Sequence, residues 1–462
     1  MSADTAAVEA TQALAKFAST LTYDDIPQRV RDHCKNLLLD ALACAVAGRL
    51  GEETGQVAAL ASGLAQSGES SVIGGEPLSL AGATLLNAYL VTAVTMCDVH
   101  RETMTHVTPE VVPPALAIAE RDGLNGRALL TAIAVGCEVT TRIGVGIDYP
   151  EFRARGWHGP GIFGPFGAAA AVGSLLGFDA DTMARAFGLA GSQAAGTFAA
   201  WGTPTVKFHQ CRGALSGLMA ALLAQQKFVA TREFLTAKDG GLYNAYGDGG
   251  KPEAMADLGA RWELEQIAMR LWPSASLIQG MTTALFDILN RHTIDTGQVR
   301  NIRVALSAQA FAMHGGFDTY AAKFEALLSA HYTAAAILHD RALTLAQFEP
   351  ARYGDPTLRR FAAEQVEVRA DPSVQGSQAL VEIESADGAT VSARCEHPLG
   401  SHHNPLARSQ IEQKFRTYAK GFLRDADSAA LIGAVDRLEH FGSVGGLMDL
   451  LRAAPRAMAA AE

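Results

Sequence analysis

Apolar side chains recur at helical spacing through most of the first 265 residues. Between Val30 and Ala45 they repeat at intervals of three and four, after Asp25 and Pro27, as on one buried face of a helix. Asn125 is placed to cap a helix over 126–142. The same pattern predicts further helices, at 168–176, 181–191 and 213–226. Since no clear alternating strand pattern interrupts them, this region is predicted to be helical.

The pattern changes near residue 268. Residues 302–304 and 366–368 alternate between apolar and polar side chains, as half-buried strands do. Asp387-Gly388 separates two more alternating segments, 380–385 and 390–395, and suits a tight hairpin turn. Helical patterns lie between these strands and return after Pro405; they cover 321–343, 355–364, 406–423, 428–439 and 445–453.

The order of elements predicts a mainly α protein. Residues 1–267 and 401–462 would form one large all-helical domain, and 268–400 a smaller α+β domain inserted into it. A cleft between two such domains is a common place for a small-molecule site, since the smaller one can close as a lid over a ligand.

Charge and composition narrow the choice of partners. The 38 basic and 48 acidic residues give a net charge of −10, so nucleic acid is not an expected partner. An anionic substrate would need a local cluster of cations.

Three uncharged stretches, 77–97, 159–178 and 186–206, have the length of a membrane span. Because Gly and Pro interrupt them and no basic or aromatic belts flank them, we expect buried helices and no membrane.

The cysteines and the N-terminus favour a cytoplasmic protein. Six cysteines lie far apart without a CxxC pair, as expected for reduced, mostly buried thiols. The first sixteen residues include Asp4 and Glu9 and lack the pattern of a signal peptide.

A cluster of functional groups follows the first uncharged stretch. Asp98, His100 and His106 could ligate a divalent metal, but six residues between the histidines is not the spacing that places both on one helical face. Either histidine could instead hold the turn through a backbone carbonyl.

Two further segments carry candidate groups. His158 lies in a Gly/Pro-rich loop before a small-residue helix, where glycine allows a ligand near the backbone and the helix N-terminus favours an anion. Lys207 and His209 follow the third uncharged stretch. A buried lysine there needs a bound carboxylate, an internal Asp or Glu, or a lowered pKa, unless it snorkels to the surface. Arg270, near the predicted domain junction, could clamp a carboxylate or pair across that junction.

Motifs of other enzyme classes are missing. The chain has no GxxxxGK[ST], GxSxG or HExxH, which gives no support to nucleotide-driven or serine-hydrolase chemistry.

The order of several short motifs resembles that of the MmgE/PrpD family across nearly the whole chain. These motifs are YDDIP (23–27), LDALAC (39–44), His106 with VPPALA (112–117), GWH (156–158), the glycine-alanine run 164–170, TVK (205–207), NPL (404–406) and KF (414–415).

The resemblance implies a fold and a type of chemistry. Members include 2-methylcitrate dehydratase, cis-aconitate decarboxylase and iminodisuccinate epimerase, which act on small di- and tricarboxylates without metal or organic cofactor. Their fold is a large helical domain with a smaller α+β lid, usually in a homodimer. The matching motif positions imply that His106, His158 and Lys207 line the active site. Met96, His100 and Arg270 differ from residues common in the decarboxylases.

These observations predict a cofactor-independent lyase resembling 2-methylcitrate dehydratase, with no bound metal. Either His106 or His158 would be the general base and the other the acid. Lys207 and Arg270 would bind substrate carboxylates, with further binding groups at Asp98, His100, Arg101 and His209. An epimerase, a cis-aconitate-type decarboxylase and a non-catalytic carboxylate-binding protein are the alternatives.

Overall fold

The computed structural model describes residues 3–316 and 319–452 and divides the chain into two compact units. The first unit comprises Met1–Ile267 together with Ala407–Glu462, and the second comprises Ala268–Leu406. Helices dominate both units and the sheets are small, so the predicted mainly α class is confirmed. The role of the second unit as a lid stays a prediction.

The first unit is built from long helices with short strands between them. Its helices are α1 (Ala3–Thr20), α2 (Gln28–Gly48), α3 (Thr54–Leu64), α4 (Leu80–Thr92), α5 (Thr108–Arg121), α6 (Gly126–Val145), α7 (Tyr149–Ala154), α8 (Gly159–Leu175), α9 (Ala180–Gly191), α10 (Thr205–Gln225) and α11 (Leu242–Tyr246). Strands β1 (Ser70–Val72) and β2 (Gly75–Leu78) form an antiparallel pair, and β3 (Val99–His100) follows α4.

Local sequence signals explain several of these helices. Pro27 precedes the first turn of α2, and the Asn125 side chain accepts a hydrogen bond from the Ala128 N–H at the start of α6, as an N-cap does. Both predicted helices are therefore confirmed.

Small side chains let the central helices pack closely, as predicted. At Gly136 of α6, an added Cβ would lie 2.6 Å from Val111 Cγ1 and 2.8 Å from the Gly167 carbonyl oxygen of α8. Helix α6 is long and apolar enough to cross a membrane, but 89% of its most apolar window is buried inside the protein. It therefore has the environment of a core helix.

The prediction for the third uncharged stretch was wrong. Residues 186–206 are not one buried helix, because α9 ends at Gly191 and α10 begins only at Thr205. Gly196 and Gly202 have positive φ values of 140° and 83° between them, which no helix accommodates. Conversely, α8 begins at Gly159, nine residues before its predicted start. As a result, His158 lies directly before a helix and Lys207 lies in the first turn of one.

The second unit contains a four-stranded sheet in the order β6-β5-β7-β8. The strands are β5 (Val299–Leu306), β6 (Val366–Ala370), β7 (Ala379–Ser385) and β8 (Thr390–Cys395), after the short β4 (Ile267–Ala268) at the boundary of the units. Strands β5 and β6 are parallel, with Val304 opposite Val368, and the other pairs are antiparallel. Gly388 has a φ of 86° in the turn between β7 and β8, which confirms the predicted hairpin.

Helices of the second unit and of the C-terminal segment complete the fold. They are α12 (Gln279–Arg291), α13 (Ala308–His314), α14 (Lys323–Leu328), α15 (Ala330–Asp340), α16 (Pro350–Tyr353), α17 (Pro356–Gln365), α18 (Arg408–Ala419), α19 (Asp425–Asp436) and α20 (Gly445–Arg452). All six cysteines are buried, and none of them forms a disulfide, as the sequence predicted.

Candidate active site

His106 lies just before α5 and its tautomer is set by the backbone. The Nδ1 atom is 2.6 Å from the Asp98 carbonyl oxygen. Because a carbonyl can only accept, Nδ1 carries the proton and donates it, and the lone pair of the neutral ring lies on Nε2. His106 is half-buried, and Nε2 is the basic nitrogen of its neutral ring.

Asp98 supports this histidine and also the start of α5. Its buried carboxylate accepts hydrogen bonds from the Val107 N–H at 2.9 Å, the Thr108 N–H at 3.1 Å and the Thr108 hydroxyl, and so caps α5. Burial raises the Asp98 pKa to about 6, against the effect of these hydrogen bonds. Its oxygens already have protein donors, and its predicted role as a substrate-binding group stays a prediction.

His100 is also a structural residue. It is fully buried, with Nδ1 2.8 Å from Thr103 Oγ1 and Nε2 3.0 Å from Glu263 Oε1. Glu263 also pairs with Arg261. Both ring nitrogens are engaged inside the protein, and the predicted substrate-binding role of His100 stays a prediction.

His158 and His209 form a pair of imidazoles. Their Nδ1 atoms lie 3.0 Å apart, so one of the two carries the proton that they share. Gly196 permits this arrangement. Its carbonyl accepts a hydrogen bond from the His158 N–H, and an added Cβ would lie 3.0 Å from His209 Nδ1.

The loops that carry His106 and His158 touch each other. An added Cβ at Gly159 would lie 2.7 Å from Thr105 Oγ1. Burial lowers the His158 pKa well below its ordinary value, and the positive charges of His209 and His106 lower it further. His158 is therefore neutral at neutral pH, and its protonated form gives up its proton more readily than an ordinary imidazolium does.

Lys207 is buried in the first turn of α10. It is 6% exposed, which rules out snorkelling. Its Nζ lies 3.6 Å from Glu53 Oε2, and the Tyr89 hydroxyl donates to the same oxygen at 2.8 Å. Glu53 is thus an internal carboxylate partner for Lys207, which is one of the alternatives predicted for a buried lysine at this position. Sequence reasoning missed Glu53 and Tyr89, which no local motif marks.

Helix ends add positive potential beside these groups. His158 directly precedes α8, and Lys207 is the third residue of α10. The N-terminus of a helix carries about half a positive charge and exposes N–H donors. Together with Lys207, these helix ends give this part of the protein a positive potential. An anionic ligand would need such a potential, because the chain has a net charge of −10.

The two predicted arginines are placed differently. Arg101 is partly buried beside His100, within the segment that carries His106. Arg270 belongs to the second unit, where its buried guanidinium donates to the Ser274 carbonyl oxygen at 2.9 Å. This bond tethers Arg270 to its own loop. Its predicted role toward a carboxylate stays a prediction.

The groups considered as metal ligands do not converge. The Asp98 carboxylate points to the start of α5, and both His100 nitrogens face protein partners. Within residues 3–316 and 319–452, no group of three or more His, Cys, Asp or Glu side chains is arranged to hold a metal ion.

Glu110 is a buried carboxyl group in the first turn of α5. Neither of its side-chain oxygens has a hydrogen-bond partner within the described part of the chain. It packs against Gly164 of α8, where an added Cβ would overlap the carboxyl group. Burial raises its pKa well above the ordinary value, the nearby Asp98 raises it further, and Arg212 opposes the rise. Glu110 is therefore held in its neutral form.

We expect Glu110→Gln to stabilise the protein more at pH 7 than at pH 5. Above the unfolded-state pKa, folding of the parent must bind a proton at Glu110, so its stability falls by up to about 1.4 kcal/mol per pH unit until the folded-state pKa is reached. Glutamine removes this loss. Denaturant unfolding at both pH values measures it, with Glu364→Gln at an exposed site as control. An equal effect of Glu110→Gln at both pH values would show that Glu110 is ionised in the folded protein.

Comparison with known proteins gives one family. The MmgE/PrpD N-terminal domain matches residues 12–255 and the MmgE/PrpD C-terminal domain matches residues 272–440. Cis-aconitate decarboxylase of Aspergillus terreus is 27% identical over 96% of this chain and 95% of its own. The human cis-aconitate decarboxylase is 25% identical over 96% of this chain and 94% of its own. Because the two domains together cover nearly all of the sequence, the chain belongs to the MmgE/PrpD family.

Proposed function

We propose that this protein is a lyase that exchanges a proton at a carbon next to a carboxylate, with His106 Nε2 as the exchanging atom. The hydrogen bond from His106 Nδ1 to the Asp98 carbonyl carries this proposal, because it leaves Nε2 as the basic nitrogen of the ring. Lys207 and the starts of α8 and α10 would hold the substrate carboxylates and the charge that develops on them.

Decarboxylation of cis-aconitate is the first reaction to test, since relatives over 96% of the chain are cis-aconitate decarboxylases. The C–C bond to the carboxylate on the CH₂ group breaks and CO₂ leaves. The released electron pair forms a new terminal C=C bond. The pair of the old double bond takes a proton at the =CH carbon, which protonated His106 supplies.

Dehydration of a hydroxy tricarboxylate is the second candidate, and the His158–His209 pair favours it. In that reaction neutral His106 removes the proton next to the carboxylate, and a second group protonates the leaving hydroxyl. Besides the N–H that the two rings share across 3.0 Å, the pair would take up one further proton as an imidazolium and supply that proton to the hydroxyl. Decarboxylation needs no second proton donor, so His158 distinguishes the two reactions.

One incubation with cis-aconitate in ²H₂O, followed by proton NMR, separates these functions. Itaconate with one deuterium at its saturated carbon, plus CO₂, supports decarboxylation. A hydroxy tricarboxylate shows hydration, the reverse of dehydration. A second incubation, with an amino- or imino-dicarboxylate in ²H₂O, tests for an epimerase, which would exchange deuterium into that compound without elimination. Thermal stabilisation by carboxylates without turnover would support a binding protein and contradict the lyase.

A cytoplasmic homodimer without metal or organic cofactor completes the proposal. Its support is the family resemblance and the six buried cysteines, which form no disulfide. Light scattering of the purified protein measures the assembly, and full activity after dialysis against EDTA tests for metal.

A further inference from the structure

A buried ion pair lies next to the backbone of the segment that carries the candidate active site, although its lysine is far from that segment in sequence. Lys414 of α18 donates to Asp40 Oδ1 of α2 at 2.6 Å, and both side chains are almost fully buried. Burying two charges is costly and rarely improves stability by itself. The pair therefore calls for a role beyond stability.

The same ammonium group holds a backbone carbonyl. Lys414 Nζ donates to the Met96 carbonyl oxygen at 3.1 Å, and Cys44 Sγ lies 3.4 Å from that oxygen. The preceding residue, Thr95, has a φ of 56°, a backbone conformation that β-branched residues rarely adopt. Such strain persists only where the surroundings fix the chain.

The segment fixed by this carbonyl also orients His106. Two residues beyond Met96, the Asp98 carbonyl accepts the proton on His106 Nδ1, and the Asp98 carboxylate caps the helix that follows. The Sγ atom of Cys97, between them, lies 3.7 Å from the same Nδ1. Residues 96–98 are thus held on one side by Lys414 and on the other by His106 and α5.

We infer that Lys414 and Asp40 are positioning residues, which fix the 96–98 backbone so that the Asp98 carbonyl keeps His106 in its Nδ1–H tautomer. The kinetic part of this inference rests on the proposed function, whereas the tautomer itself does not.

A matched control pair exists in the same unit. Lys35 of α2 donates to Glu439 at 2.7 Å and to the Asp436 carbonyl at 2.8 Å. Like Lys414, Lys35 therefore donates to one carboxylate and one backbone carbonyl. The carbonyl that it holds is far along the chain from residues 96–98. A purely structural effect should be similar for both pairs.

The test compares Asp40→Asn/Lys414→Met with Lys35→Met/Glu439→Gln. Histidine ¹⁵N NMR of the intact protein reports the His106 tautomer without any turnover, and His106→Gln assigns the signals. We expect the control pair to keep the Nδ1–H form and the Asp40/Lys414 variant to show a mixture of tautomers. In assays with cis-aconitate, the latter should lose about 10–100-fold in kcat, the range by which supporting-residue changes lower activity at metal sites, with less change in KM and an altered pH profile.

An unchanged His106 tautomer in the folded double variant would overturn the inference, as would an equal change in the control pair. The double variant could lose the Nδ1–H tautomer while the parent protein shows no activity with carboxylates. That result would contradict the proposed function and leave the inference standing. If the double variant does not fold, the single variant Asp40→Asn removes the charge that holds Lys414, with Glu439→Gln, which removes the charge beside Lys35, as control. Identical tautomer signals in these two variants would also reject the inference.

Discussion

Replacing His106 by Gln is expected to lower kcat about 10³-fold without a comparable loss of stability. Proton transfer by a positioned side chain contributes about 10²–10⁴-fold to a rate, and both proposed reactions pass their proton through His106 Nε2. Glutamine can still donate to the Asp98 carbonyl, which accepts from Nδ1 in the parent. The loop should therefore keep its structure while the proton exchange is lost.

Steady-state kinetics with cis-aconitate and a thermal unfolding curve check this expectation together. His339→Gln is the control, because His339 is a partly buried histidine of the second unit. It should keep the activity of the parent. A His106→Gln protein with kcat within about tenfold of the parent, below the 10²–10⁴-fold range for acid-base groups, would assign the proton exchange to another residue. The His158–His209 pair would be the next candidate.

Lys207→Met is expected to lower kcat/KM by about 10²-fold or more. Removing one partner of a buried, charge-assisted contact costs about 2–5 kcal/mol, and about 2.7 kcal/mol corresponds to a 10²-fold change. The partner within the protein, Glu53, is only partly buried and keeps its hydrogen bond from Tyr89. The variant should therefore fold.

Two companion variants sharpen this test. Lys323→Met removes a lysine of similar burial that pairs with Glu349 at 2.7 Å in the second unit, and should leave kcat/KM unchanged. Glu53→Gln removes the negative charge beside Lys207 and should lower KM, because the substrate carboxylate no longer competes with it. Unchanged kcat/KM in Lys207→Met would show that this lysine only pairs with Glu53.

Sequence patterns predicted the elements well where local signals are strong. The Asn125 cap and the hairpin glycine at Gly388 depend on a few neighbouring residues, so they could be placed without tertiary information. The 186–206 stretch failed because low charge was taken as helix, whereas the positive-φ glycines Gly196 and Gly202 divide it. Those glycines were the signal that could have corrected the prediction.

The chemistry was predicted only in part, for a physical reason. The motifs placed His106, His158 and Lys207 together in one candidate site, and Asp98 and His100 were predicted to bind the substrate. In the structure, the Asp98 carboxylate accepts hydrogen bonds from backbone N–H groups of α5 and of the residue before it, and His100 contacts Glu263. A side chain is free for substrate only if its neighbours leave an atom unbonded, and sequence spacing does not record those neighbours.

The sequence by itself determined the mainly α class, the family and the segments that carry the candidate groups, because helical periodicity, turn residues and short motifs are local. Only the tertiary structure decided which nitrogen of His106 is basic, that Lys207 faces Glu53, and that Lys414 reaches Asp40. The last two contacts join residues 154 and 374 positions apart. Distances, hydrogen-bond directions and burial exist only in the folded chain, and they determine which groups of the site carry a proton and which carry a charge.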